Sequence, residues 1–409
     1  MRRSLCSLLA AAALFAGGGY LPEFPTAAAA QSPAEARPGP AGQEQVIARM
    51  HAMLDRRLDE AAASRQRYWR ELRAADGTVD WTRARRDLAR LLRVPAECAG
   101  KQRVVEVERK IVARLNEGVI ERVTVEVCRR QLLAVGLAGW PATEGTPAPL
   151  VVAFHGTAGT PEKVFGIDDP ARFDLKDYHH AYGRALMARG FAVFAPLLLT
   201  ETSAQACTGY NGTRNEVNHR ALPLGTALNG MQLGMIMDAV GFLLRDRRVR
   251  ADRMGAYGIS HGGQLAFYFA ALDHRVRATV VSQWFESRAE KLAGSRHPDA
   301  LWREPGAAHN QHPDILRYFT DVETAMLIAP RALLIEAGRR DGERAKSAER
   351  EFPRIASAYR NLGAPPGAAC LEVADAGHEI VMKAAADFLE HWLRGDKRAA
   401  CPAPAAGRS

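Results

Sequence analysis

The sequence predicts an α/β fold with a mostly parallel, doubly wound sheet, preceded by a helical and β-hairpin extension. From residue 149 onward, short apolar strands alternate with helices, the pattern of a parallel sheet covered on both faces. Within this region, Gly258-Ile-Ser260-His-Gly262 lies between a predicted strand and an apolar helix. Two later loops, each directly after a predicted strand, carry Asp341 and His378. The three positions together predict an enzyme.

The N-terminus has the features of a secretory signal peptide over residues 1–30. Two arginines follow Met1, an apolar run covers 5–15, and three alanines at 28–30 form a small-residue cleavage site. The apolar run is too short to span a bilayer. We therefore expect a secreted or periplasmic protein with no membrane span and a disordered lead-in over 31–42.

The five cysteines that remain after export are Cys98, Cys128, Cys207, Cys370 and Cys401. Export permits disulfides, and one or two bridges with Cys401 spare in a C-terminal tail over 396–409 is the expectation. The sequence leaves the pairing open. No metal-ligand spacing occurs, so we expect neither a metal nor another cofactor.

The formal net charge is +9, with an isoelectric point near 9.4. An acidic polymer or an anionic surface would suit this charge. However, the arginines are spread among acidic residues without a long basic run. A well-solvated surface is therefore the simpler interpretation, and we expect no nucleic-acid partner.

Residues 43–148 are assigned to the N-terminal extension. Apolar residues recur at helical spacing over 43–93, and the pattern changes to extended structure over 102–137. Asn116-Glu117-Gly118 lies between two alternating segments, which is the signature of a hairpin.

Residues 149–395 are assigned to the catalytic domain, with a cap-like insertion at 283–326. Predicted strands cover 150–154, 191–195, 253–258, 276–281, 331–336 and 369–373. Predicted helices cover 179–189, 228–244, 264–272 and 381–393.

Ser260 is the candidate nucleophile, because the two glycines of its pentapeptide permit the sharp turn that exposes a serine hydroxyl. A serine hydroxyl needs a base, and the base needs a group to orient it. His378 and Asp341 lie in loops where this architecture requires them. Glu336 lies inside a strand and Asp375 is typical of a turn, so both rank below Asp341 as the acid.

The oxyanion of the tetrahedral intermediate needs backbone N–H donors. The expected donors are the N–H of His261 and one from the loop after the strand at 150–154, where Thr157 is the best candidate and Gly156 the next. The neighbouring His179-His180 pair is expected to pack or cap rather than bind a metal.

With these residues in place, the chain resembles the α/β-hydrolase superfamily, and within it the secreted acetyl xylan esterase-like and dienelactone hydrolase-like branch. The resemblance covers about residues 149–395. It is carried by His155-Gly156, Tyr178-His-His-Ala-Tyr-Gly, Asn215-Glu-Val-Asn-His-Arg, Gly258-Ile-Ser260-His-Gly-Gly263, Leu327-Ile-Ala-Pro-Arg and Gly377-His378.

The resemblance implies Ser260 as nucleophile, Asp341 as orienting acid and His378 as base. The chain departs from the common pattern in three places. Pro196-Leu-Leu-Leu replaces a frequent Asp-x-Arg-Gly, Gly-Glu-Arg follows Asp341 in place of an apolar-Pro stretch, and the section before 149 matches less clearly.

The insertion carries the candidate substrate-pocket residues Trp284, Trp302 and His312. Aromatic rings above the nucleophile could stack on sugars, or the insertion could form a small cap that packs its own aromatics. Its basic residues would fit an acidic sugar; they are Arg288, Lys291, Arg296 and Arg303.

The predicted function is a secreted serine carboxylesterase whose partner is an ester substrate, with acylated polysaccharide implied by resemblance only. Three alternatives stay open: a serine peptidase of the prolyl-oligopeptidase type, a small-ester or lactone hydrolase, and an inactive hydrolase-fold binding module. The peptidase lacks room for a propeller before residue 149, and a binding module would not need Ser260, Asp341 and His378 together.

Overall fold

A computed structural model describes residues 40–98, 104–142, 145–167, 177–200, 213–294, 301, 310–395 and 401. Within them, the strands form one nine-stranded sheet in the order β1-β2-β3-β5-β4-β6-β7-β8-β9. The strands are β1 (Val105–Leu115), β2 (Gly118–Val127), β3 (Leu132–Pro141), β4 (Ala148–Phe154), β5 (Ala192–Pro196), β6 (Val249–Ile259), β7 (Val276–Ser282), β8 (Ala332–Gly338) and β9 (Ala369–Ala374).

Strands β4 to β9 are parallel, which confirms the predicted mostly parallel α/β fold. Every residue of β4 and β8 is buried, as expected for strands covered on both faces. Because the strands run in one direction, the loops after β6, β8 and β9 emerge at the same edge of the sheet. These loops carry the predicted catalytic residues.

The predicted hairpin is present, because β1 and β2 pair antiparallel around the turn between Leu115 and Gly118. The strand β3 was not predicted as a separate element. It pairs antiparallel with both β2 and β5 and so joins the hairpin to the parallel strands. The boundary placed between residues 148 and 149 therefore corresponds to no break in the sheet.

Eleven α-helices lie in the described residues. They are α1 (Pro40–Glu71), α2 (Trp81–Leu91), α3 (Pro161–Phe165), α4 (Tyr182–Ala188), α5 (Thr213–Ala221), α6 (Leu228–Leu243), α7 (His261–Leu272), α8 (Arg288–Ala293), α9 (Asp321–Ile328), α10 (Arg344–Asn361) and α11 (Lys383–Leu389). The helix α1 begins inside the stretch assigned to the lead-in. None of these helices is both long and apolar enough to cross a bilayer. The signal-peptide segment lies outside the described residues.

The apolar core is divided between the two faces of the sheet. Leu150, Val152 and Phe154 belong to one buried cluster, while Val151 and Ala153 belong to the other. This alternation follows from the two-residue repeat of a β-strand. Both faces are therefore covered, and the strand ends are left to carry function.

Two disulfides join the cysteines in the described residues. Cys98 pairs with Cys128, and Cys370 pairs with Cys401. The expectation that Cys401 is spare was wrong, because the chain after α11 returns to β9 and brings the two Cα atoms to 5.5 Å. Cys207 lies outside the described residues.

Candidate active site

Ser260 occupies the sharp turn between β6 and α7. Its backbone has φ of +57° and ψ of −125°, a conformation that is costly for a residue with a side chain. The Ser260 N–H donates to the carbonyl of Ser282 at 2.9 Å, which ties the turn to the neighbouring strand β7. A strained serine between a strand and a helix is the geometry of a nucleophile elbow.

Both motif glycines are required by close backbone contacts. A Cβ on Gly258 would lie 2.2 Å from the carbonyl oxygen of Gly262. A Cβ on Gly262 would lie 2.2 Å from the carbonyl oxygen of Phe154. Any side chain at either position would force the backbone apart, so the pentapeptide is explained by packing of the turn against β4.

Asp341 and His378 meet across neighbouring loops. Nδ1 of His378 lies 2.7 Å from Oδ2 of Asp341. The Asp341 side chain is 11% exposed, while that of His378 is 33% exposed. Burial raises the pKa of Asp341, but the hydrogen bond from His378 and the charge of Arg344 outweigh it and lower this pKa overall. The acid is therefore ionised at neutral pH and oriented toward the imidazole.

The two competing carboxylates lie elsewhere. Glu336 is buried within β8 and accepts a hydrogen bond from the Tyr257 hydroxyl at 3.1 Å. Burial raises the pKa of Glu336 to about 7. Asp375 is exposed and pairs with Arg340. Asp341 is the carboxylate that contacts His378.

The oxyanion-hole candidates are not equivalent. His261 is the first residue of α7, where backbone N–H groups have no partner within the helix. The Gly156 N–H donates to Nε2 of His179 at 3.1 Å, which favours Thr157 over Gly156 as the second donor. His261 and Thr157 remain as the candidate donors.

Buried histidines hold the loop that carries Thr157. Nε2 of His155 accepts the N–H of Leu198 at 3.0 Å. Burial lowers the pKa of His155 to about 3, so this ring stays neutral and can accept. His179 accepts from Gly156 and lies 3.0 Å from Asp177, an arrangement that orients its ring. The His179-His180 pair thus includes a packing histidine, as expected.

Tyr178 and Gln283 support the site and were missed by sequence reasoning. The Tyr178 hydroxyl donates to the carbonyl of Thr157, and its ring lies 5.7 Å from that of His378. Gln283 accepts from the Gly338 N–H and donates to the Glu379 carbonyl. Gln283 therefore links the loops of Asp341 and His378 through these two hydrogen bonds. Nothing in the sequence near Gln283 signals this, because both partners are distant in the chain.

Of the aromatic pocket candidates, Trp284 and His312 lie in the described residues. Trp284 is 5% exposed, and the guanidinium of Arg288 lies 4.1 Å from its ring. His312 packs edge-on to Tyr268 and lines a cleft of about 420 Å³ between α1 and the insertion. No residue of the Ser260, Asp341 and His378 set lines that cleft. Trp302 lies outside the described residues.

The two described basic residues of the insertion, Arg288 and Lys291, are paired with carboxylates. Arg288 is buried and bonds Asp321 at 2.9 and 3.0 Å. Lys291 is buried with Nζ 3.4 Å from Glu286. These charges are neutralised internally, so the weak expectation of an acidic-sugar site loses its support. Arg296 and Arg303 lie outside the described residues, and within those residues no cluster of metal-ligating side chains is present.

Comparison with known proteins agrees with this architecture. Residues 141–291 match the model of the dienelactone hydrolase family. A protein described as a putative acetyl xylan esterase, from Bacteroides fragilis NCTC 9343, superposes with a TM-score of 0.57 at 17% identity, covering 72% of this chain and 74% of that one. The chain therefore has the α/β-hydrolase fold, and its central part matches the dienelactone hydrolase family.

Two further similar proteins extend the comparison. A glucuronoyl esterase from Solibacter usitatus superposes with a TM-score of 0.55 at 14% identity, covering 78% of this chain and 95% of that one. "Putative hydrolase YtaP" of Bacillus subtilis (strain 168) is 26% identical over 190 residues, which is 44% of this chain. The chain spans 59% of the length of that curated relative. At these identities the structural likeness concerns the fold.

Proposed function

We propose that this α/β-hydrolase is a secreted serine carboxylesterase that removes acyl groups from polysaccharide through Ser260, His378 and Asp341. The observation that carries the proposal is the 2.7 Å contact between His378 and Asp341, in loops that share a sheet edge with the strained Ser260 turn. Three residue types with complementary roles occupy one edge of one sheet. A binding module would have no need of them.

The reaction follows from these roles. His378 takes the proton of the Ser260 hydroxyl as its oxygen attacks the ester carbonyl, and Asp341 stabilises the imidazolium that forms. The N–H groups of His261 and Thr157 would stabilise the oxyanion. The imidazolium then gives its proton to the leaving alcohol, and an acyl-enzyme remains. Water, deprotonated by His378, releases the acid and frees Ser260.

The acyl-polysaccharide class is supported by the names of the relatives, which include an acetyl xylan esterase and a glucuronoyl esterase. A lactone or small-ester hydrolase is the second candidate, favoured by the match to the dienelactone hydrolase family. Both candidates use the same three residues, so substrate choice distinguishes them.

The test is hydrolysis of a p-nitrophenyl ester series, acetylated xylan and a small lactone by the wild type and by Ser260→Ala. Loss of the nucleophile should lower kcat on the order of 10⁶-fold if the three residues act as a unit. Circular dichroism of both proteins controls for folding. Equal rates in the two proteins would contradict the mechanism, and a rate on lactone far above that on xylan would select the second candidate.

A further inference from the structure

Arg344, the first residue of α10, contacts both members of the acid-base pair. Its Nη1 lies 2.8 and 2.9 Å from the two carboxylate oxygens of Asp341. The same atom lies 3.1 Å from Nδ1 of His378. The Arg344 side chain is 24% exposed, so these contacts are partly shielded from water. This arginine belongs to the Gly-Glu-Arg string that departs from the pattern of the resembling family.

The other edge of the guanidinium faces the insertion. Nε of Arg344 lies 3.8 Å from a carboxylate oxygen of Glu286, whose side chain is 1% exposed. Glu286 pairs in turn with Lys291 at 3.4 Å. The Asp321 carboxylate, which bonds Arg288, accepts a hydrogen bond from the Glu286 backbone. A line of charged groups therefore runs from the insertion to His378.

The charges of this line balance. Three cations face three carboxylates, which makes a neutral group; the cations are Arg288, Lys291 and Arg344, and the carboxylates are Glu286, Asp321 and Asp341. A neutral, internally bonded group is not a receptor for an anionic substrate. Its geometry is suited instead to holding the Asp341 carboxylate, since a guanidinium can fix carboxylate orientation.

We propose that Arg344 is a positioning residue, which fixes the Asp341 carboxylate against His378 and anchors it to the insertion through Glu286. The inference rests on the proposed function. The effect depends on geometry and not on charge alone, so it needs the planar guanidinium.

The experiment compares Arg344→Gln, Arg344→Lys and Glu286→Gln with the wild type, measuring kcat and KM separately on p-nitrophenyl acetate. Arg340→Gln is the matched control, because it removes an exposed arginine of the same loop that pairs with Asp375. Circular dichroism and thermal unfolding show which variants are folded. Ser260→Ala supplies the background rate.

We expect Arg344→Gln to lower kcat by about 10- to 100-fold with little change in KM, since a displaced acid misorients the base. Arg344→Lys should lower kcat similarly, because it keeps the charge but not the planar guanidinium. Glu286→Gln should give a smaller fall in kcat, and Arg340→Gln should match the wild type.

Two results would overturn the inference: a folded Arg344→Gln with wild-type kcat, or a fall in kcat matched by Arg340→Gln. If Arg344→Gln does not fold, Arg344→Lys tests the positioning role instead. A wild-type kcat for Arg344→Lys would contradict that role. A wild type no faster than Ser260→Ala would instead contradict the proposed function, so the two failures can be told apart.

Discussion

Two charged clusters lie at opposite ends of the sheet, and they differ in what they can do. At the β8–β9 end, Arg344, Asp341 and His378 contact one another at the sheet edge that also carries the strained Ser260. At the antiparallel end, Glu121 of β2 accepts from Arg109 at 3.1 Å, from Arg248 at 3.1 Å and from Trp140 at 2.7 Å.

Both clusters contain a carboxylate whose pKa is lowered. Burial raises the pKa of Glu121, but hydrogen bonds from Arg248 and Trp140 lower it by more. The same balance of burial and bonding acts on Asp341. A lowered pKa beside an arginine therefore does not identify an active site. The distinguishing features are a histidine that can exchange a proton and a serine held in a strained turn.

The largest expected effect comes from a substitution in the β8–β9 cluster. Asp341→Asn should lower kcat by about 10⁴-fold, because the amide cannot stabilise the imidazolium or select the active tautomer. Steady-state hydrolysis of p-nitrophenyl acetate measures it. A kcat within a factor of ten of the wild type would remove Asp341 from the mechanism.

The matched substitution at the antiparallel end of the sheet is Glu121→Gln, which should lower stability rather than activity. The arginines and Trp140 lose a charged acceptor, so the free energy of unfolding should fall by about 2 kcal/mol. Urea denaturation followed by circular dichroism checks this, with kcat expected to stay at the wild-type value. A large loss of kcat in a folded Glu121→Gln would mean that the two clusters are coupled and the comparison is false.

The smallest expected effect is a change in the free energy of unfolding with pH. His155 and His261 have pKa values lowered to about 3 by burial, with the charge of Arg214 also lowering that of His261. Histidine in the unfolded chain titrates near 6.5, so the unfolded state binds more protons below that pH. The free energy of unfolding should therefore fall by about 1 kcal/mol or more between pH 7 and 5.

Glu336 opposes this trend, because burial raises its pKa to about 7 and the folded state binds its proton first. Glu336→Gln should consequently steepen the fall, whereas Glu121→Gln should lower stability without changing its slope between pH 7 and 5. Urea titrations at several pH values check both slopes. A wild-type stability that rises toward pH 5 would mean that the buried histidines are protonated in the folded state.

Much of the fold could be predicted because it depends on local patterns. Apolar runs placed the parallel strands, and Asn116-Glu117-Gly118 placed the hairpin. The strand β3 was not predicted as a separate element, because its apolar sequence looks like a continuation of the extended region. Its pairing with β5 is set by distant residues.

The candidate site likewise has residues that the sequence predicts and contacts that it does not. Ser260, Asp341 and His378 could be nominated because each directly follows a predicted strand. The hydrogen bond from the Gly156 N–H to His179 could not be predicted, since it depends on how α4 approaches that loop. The role of Arg344 depends on the first turn of α10 folding back onto Asp341. The Cys370–Cys401 pairing depends on where the chain goes after its last helix.

The central claim is that Ser260 is a nucleophile activated by His378. The most direct measurement is reaction of the purified protein with a fluorophosphonate, followed by peptide mass spectrometry. We expect one adduct on Ser260, no adduct in Ser260→Ala, and labelling of Asp341→Asn slowed by orders of magnitude. An unlabelled wild type, or an adduct on another residue that persists in Ser260→Ala, would contradict the account.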